Sequence, residues 1–154
     1  MDLLRIIDDA IYSTPVMNFY GSSLGGHLRH CIDHYDGFVR GVKEGTIDYD
    51  SRSRDRVIET SVNQAMQRLE SLAKELEREI SSIDAGREIR VKMDCGGETG
   101  MHWQVSSVGR ELQFLTSHTI HHFAMMKGMC CTLGVALPMD FGVAPSTLRY
   151  LRNA

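Results

Sequence analysis

Apolar residues fall at positions 3, 4, 6, 7, 11 and 12, the three-and-four spacing of a helix with one face on a core. This first helix runs from Leu3 to about Asn18, and Pro15 bends or divides it. A second follows in "SSLGGHLRHCIDHYDGFVRGVKEG", residues 22–45. Ser22 or Ser23 caps it, Gly45 stops it, and Leu24, Leu28, Cys31, Tyr35 and Phe38 make its core face. Gly25 and Gly26 weaken its first turn, so either the helix starts late or another element packs very closely there.

Residues 45–56 are polar and aperiodic and read as a loop. Val62, Met66, Leu69, Ala73, Leu76, Ile80 and Ile83 then mark a third helix from about Asp55 to Ile83, with a charged outer face. The period changes to two at Ile89, Val91 and Met93. With Gly96 and Gly97 as a turn and His102 to Val105 returning, this predicts a small hairpin. Ser106 or Ser107 caps a long fourth helix, Val108 to about Leu133. In the apolar tail, Pro145 and Ser146 start a short helix that lays Leu148 and Leu151 on the rest. The pattern predicts a single domain over 1–154: a mostly all-α four-helix bundle with a β-hairpin between helices three and four.

Composition narrows the function. The formal net charge of −3 gives no support to nucleic-acid binding, which needs excess Lys and Arg. No apolar stretch reaches membrane-span length, and the acidic opening "MDLLRIIDDA" is unlike a secretory leader. The four cysteines, Cys31, Cys95, Cys130 and Cys131, form no CxxC pair and read as reduced thiols of a cytoplasmic protein. The glycine-rich 96–100 lacks the lysine of a phosphate loop.

The histidines are the chemistry. In helix four, Glu111, Leu115, His118, His122 and Met125 share one stripe, and that stripe faces the core. His118 and His122 are therefore one turn apart and inward. His30 and His34 form the same i,i+4 pair on helix two, with His27 beside them. Burial lowers an imidazole's pKa and leaves a neutral ring with a free lone pair. Several such rings converging between facing helices suit a divalent transition metal: nickel, zinc, iron and manganese all accept imidazole. For His27, His102 and His121 the reading is a ring hydrogen-bonded to a neighbour, and Met125, Met126 and Met129 read as core.

Ser23 to His30 ("SLGGHLRH") and 117–122 ("SHTIHH") resemble the two motifs of the DinB-like (YfiT-like) metal-binding family. The loop 47–55 and the tail 140–151 are similar to an uncharacterised bacterial subgroup of it. The resemblance implies a four-helix bundle, a homodimer, and a divalent metal held by His30, His118 and His122. Some relatives are transferases or isomerases that use small thiols. Others form the metal-bearing half of iron sulfoxide synthases, whose motif adds a glutamate where this chain has Ala124.

Three histidines leave a coordination position for water or substrate. His34 is either a fourth ligand, which closes the site, or an acid or base beside it. Glu111 is placed to orient a ligand ring, and Glu59 lies on the inward side of helix three. Asp33 is expected to be exposed, and Cys31 to be core. Arg52, Arg54 and Arg56 either hold a substrate carboxylate or keep the loop solvated. The functional expectation is a metal-dependent transferase or hydrolase with a small-molecule or thiol co-substrate. The alternative is a non-catalytic bundle in which the metal or histidine cluster fastens helices two and four.

Overall fold

Helix formation follows the caps as closely as the apolar stripes. In a computed structural model, which describes residues 2–94, 96 and 102–153, the chain forms α1 (Asp2–Ile6), α2 (Asp9–Ser13), α3 (Leu24–Glu44), β1 (Thr46–Asp48), α4 (Arg56–Thr60), α5 (Val62–Ile80), β2 (Glu88–Lys92), β3 (Gln104–Ser107), α6 (Val108–Thr132) and α7 (Pro145–Asn153). The Ser23 hydroxyl accepts from the Gly26 amide at 3.0 Å, and Gly45, at φ +76°, ends α3 by donating to the Gly41 carbonyl. Ser107 caps α6 through the Arg110 amide.

The architecture is the helical bundle that the periodicity predicts, with corrections at both ends and in the middle of the chain. The first helix is two short ones, because Asp8 accepts from the Ile11 amide at 2.8 Å and so starts α2 afresh. It ends at Ser13, since Thr14 before Pro15 is held extended. The third helix breaks at Ser61, where the Val62 amide donates to the Asp9 carboxylate at 2.7 Å. The supposed loop 45–56 contains β1, which pairs in parallel with β2 (Ile47 opposite Val91). The hairpin is therefore the outer part of a three-stranded mixed sheet, ordered β1-β2-β3. Only Ile47 and Tyr49 alternate inward on β1 and just after it, too short a signal against a polar background. Gly97 of the expected turn lies outside the described residues. In α7, Leu148 is half-buried but Leu151 is 62% exposed, so only the former is laid against the protein.

Two apolar clusters sit at opposite ends of the long helices. One joins Leu24, Leu28 and Ile32 of α3 to Ala65 and Leu72 of α5, Met126 and Met129 of α6, and Leu3, Leu4 and Tyr12 from the N-terminal helices. The other joins Phe38 and Val42 of α3 to Ile47, Tyr49, Ile89, Val108 and Leu115. Along α6 His118 and His122 fall between the residues of one cluster and those of the other, and on α3 His34 does so while His27 and His30 lie beside the first.

Close approaches, rather than a late start, account for the glycines of α3. A Cβ on Gly25 would lie 1.9 Å from the Glu59 carbonyl oxygen and 2.8 Å from the Tyr12 ring. One on Gly41 would lie 2.2 Å from the Thr46 carbonyl oxygen, so this glycine lets β1 cross α3. Gly37 differs: its Cβ would meet only the Tyr49 ring at 3.7 Å and the Asp48 carbonyl at 3.8 Å, which is ordinary contact. Gly41→Ala is expected to cost ~1–3 kcal/mol by overpacking against backbone. Gly37→Ala is expected to gain roughly 0.5–1 kcal/mol from helix propensity. Urea denaturation of the two variants checks both signs.

Candidate metal centre

The facing pair α3 and α6 brings five imidazoles together. His30 and His34 are one turn apart on α3, with ring centroids 4.4 Å apart. His118 of α6 lies 4.9 Å from His30 and 4.3 Å from His34, centroid to centroid. His122 follows at 4.5 Å from His118 and 4.6 Å from His30. His27 closes the row against His122, their Nδ1 atoms 2.9 Å apart, one donating and the other accepting. His121 and His102 are exposed.

Within this row His30, His34 and His118 each offer one ligand nitrogen, and the three nitrogens all lie within 4.8 Å of one another. This three-histidine cluster suits a divalent transition metal. The hydrogen bonds of His34 and His118 fit that use, whereas His30 Nδ1 accepts from Arg52, a bond that ligation by His30 would release. His34 Nδ1 donates to the His30 carbonyl at 2.9 Å, which fixes the tautomer and leaves the Nε2 lone pair free. Among the described residues His118 Nε2 is buried without a hydrogen-bond partner, a nitrogen with bonding capacity unused. His27 Nε2 is in the same condition. His122 lies within the row, but its Nδ1 is engaged by His27.

Burial also sets the protonation. Desolvation, reinforced by neighbouring rings, pushes His30 down to about 2, His122 to about 3 and His118 to about 4. His27 and His34 are lowered too, burial again being the main cause. All five are therefore neutral near pH 7, the form that ligates metal.

The sequence-identified carboxylates go elsewhere. Glu111 is buried, and accepts from the Tyr49 hydroxyl at 2.9 Å and the Ser106 hydroxyl at 2.5 Å. Tyr49 in turn stacks on His34 at 5.5 Å, so Glu111 reaches the cluster through an aromatic ring. Glu59 pairs with Arg29 at 3.2 Å. Asp33 is not exposed, as its position off the histidine stripe implied, but 3% accessible. It accepts from Arg29 at 2.6 Å and from Ser53 at 3.1 Å, tying the loop after β1 to α3. The i,i+4 spacing of Arg29 and Asp33 was the available signal. Cys31 is core, as expected, and burial pushes its thiol up to about 12, far from a thiolate at neutral pH.

Reasoning from sequence missed Tyr49 and could not select Arg52. Arg52 Nη1 donates to His30 Nδ1 at 3.0 Å. A cavity of about 450 Å³ opens on the cluster, lined by His30, His34, His118, Tyr49, Arg52 and Met93 among others. A larger cavity of about 640 Å³, between Leu3, Leu28, Leu69 and Phe123, is walled mainly by apolar side chains and lies away from these groups.

A helical bundle with buried histidines on two facing helices defines a class, and the comparisons name it. The DinB superfamily model matches residues 2–126, and the chain belongs to that superfamily. It is also similar to the FK506-binding protein 5 of Rhizopus delemar, with 34% identity over 108 residues. That match covers 70% of this chain but only 28% of the fungal protein. No solved structure matches the chain. No described helix is long and apolar enough to cross a membrane.

The histidine shifts fix a pH dependence for the metal-free protein. An unfolded imidazole titrates near the ordinary 6.5, whereas the folded rings resist protonation until about 4 and below. Below 6.5 the unfolded chain thus binds more protons than the folded one, and stability falls with pH. The urea midpoint is expected to decline steadily from neutral pH down to about 4, and less steeply in His118→Gln. A midpoint flat over that window contradicts neutral buried rings.

Proposed function

We propose that the chain is a metal-dependent enzyme, a transferase using a small thiol or a hydrolase, working in the cavity beside the histidine cluster. The observation that supports it is the convergence of three imidazole nitrogens within 4.8 Å at the wall of that cavity. His30 and His118 would hold the ion. For the third place the free lone pair of His34, set by its bond to the His30 carbonyl, favours His34. The resemblance favours His122, whose ring lies as near to His30 and His118 but whose nitrogen is not among the three that converge. We assign His34 as the ligand and His122, with His27, as the pair that orients the far side.

A metal bound by three imidazoles supplies Lewis acidity and a site at which water or a thiol loses its proton. The protein's own part is to keep the rings neutral, fix their tautomers and shape the access. Tyr49 holds the His34 ring by stacking, and is itself held by Glu111 and Ser106. Glu111 is thus proposed as a positioning residue rather than one that meets substrate. Cytoplasmic residence and pairing into homodimers belong to the same proposal, resting on composition and on the resemblance.

Metal analysis of the chain dialysed against zinc, with ring deletions, tests the assignment. Wild type is expected to retain about one ion per chain, as a single tetrahedral site does. His30→Ala, His34→Ala and His118→Ala are expected to lose it. His122→Ala is expected to keep it with roughly 10–100-fold weaker affinity. Retention in His34→Ala with loss in His122→Ala would instead assign His122 as the third ligand. Cobalt-loaded protein whose visible spectrum shifts on adding azide has an open position, as an enzyme needs. A spectrum indifferent to azide favours the alternative, an ion that only fastens α3 to α6.

A further inference from the structure

We infer that Arg52 is the substrate-recognition residue of the histidine cavity, and that the ligand it selects is a small molecule bearing a carboxylate. The inference rests on the reading of that cavity as the working site. Arg52 lies in the segment between β1 and α4, lines the cavity, and reaches the cluster itself through Nη1 on His30 Nδ1 at 3.0 Å. Its Nε is buried and donates to no acceptor among the described residues. Among the described residues neither Arg52 nor Arg54, which also lines the cavity, is in an ion pair. Arg29 and Arg68, by contrast, are engaged, the first with Asp33 and Glu59 and the second with Asp36 and Glu75.

A guanidinium beside neutral rings, with an unsatisfied buried donor, lacks the acceptor that suits it. A carboxylate matches the planar fork of Arg in two parallel hydrogen bonds and is a stronger acceptor than a neutral imidazole. A metal held by His30 would release Nη1 from Nδ1, and an incoming carboxylate then gives the guanidinium the acceptor it lacks. The lining also carries Asp50 and Asp94, so two positive groups face two negative ones. In the metal-free cavity that balance favours a monoanion over a doubly charged phosphate.

The segment carrying Arg52 is built to hold it in place. Ser53 donates to buried Asp33 at 3.1 Å, and Asp33 is locked by Arg29. The Arg52 amide donates to the Asp50 carbonyl at 3.0 Å, and the Asp50 carboxylate accepts from the Asp94 amide at 3.0 Å. On the other side Arg54 takes a left-handed backbone, φ +51°, a conformation rare for residues other than glycine.

Calorimetric titration of benzoate and of inorganic phosphate into wild type and Arg52→Gln, each metal-free and zinc-loaded, tests the inference. Benzoate is expected to bind zinc-loaded wild type at least about tenfold more tightly than Arg52→Gln, the loss of a charge-assisted bond. Zinc stoichiometry is expected to be the same in both, and Arg52→Lys to fall between them because it keeps the charge without the fork. Equal benzoate affinity in wild type and Arg52→Gln, or no binding by wild type, overturns the inference. Phosphate binding the metal-free chain more tightly than benzoate does overturns the carboxylate assignment. If wild type takes up no zinc, the metal reading fails. Arg52-dependent benzoate binding by the metal-free chain would then still uphold the recognition role, and its absence would overturn that role.

Discussion

The centre of this protein depends on neutral imidazoles packed ring to ring between two helices. Each of His30, His118 and His122 would gain charge only against desolvation and its neighbours, so the rings stay uncharged where most buried polar groups would find a hydrogen bond. Two of their nitrogens, on His27 and His118, find none. An unsatisfied buried nitrogen costs on the order of 1–3 kcal/mol. The bundle carries that cost beside a cavity, where a metal ion would recover the part that falls on His118.

The rest of the fold positions this row. Gly41 lets β1 cross α3, and β1 delivers Tyr49 onto His34 and Arg52 onto His30. The Glu111 carboxylate then fixes Tyr49 from α6, with Ser106 of β3 as its second donor. Sheet, loop and both central helices thus converge on two rings of α3. The parallel pairing of β1 with β2 is what turns a polar connection into a wall of the site.

Much of this was legible in the sequence, and for identifiable reasons. The long helices and their caps follow from periodicity strong enough to survive any tertiary context, and the two i,i+4 histidine pairs follow from the same stripes. What was not legible depends on residues distant in sequence. The break at Ser61 is made by Asp9, and the burial of Asp33 by Ser53. Strand β1 exists only because β2 and Gly41 are there to receive it. Arg52 looked like any of three loop arginines, because nothing local tells which guanidinium meets a ring on α3. The resemblance supplied the family, which the match over residues 2–126 shows, while the choice among neighbouring imidazoles is a matter of geometry.

X-ray absorption at the metal edge of the zinc-loaded protein tests the central claim most directly, since it counts the imidazoles that surround the ion. The account predicts three histidine nitrogens at about 2.0–2.1 Å together with a lighter, exchangeable ligand. An ion surrounded by water and carboxylate oxygens, without the multiple-scattering pattern of imidazole, would contradict it.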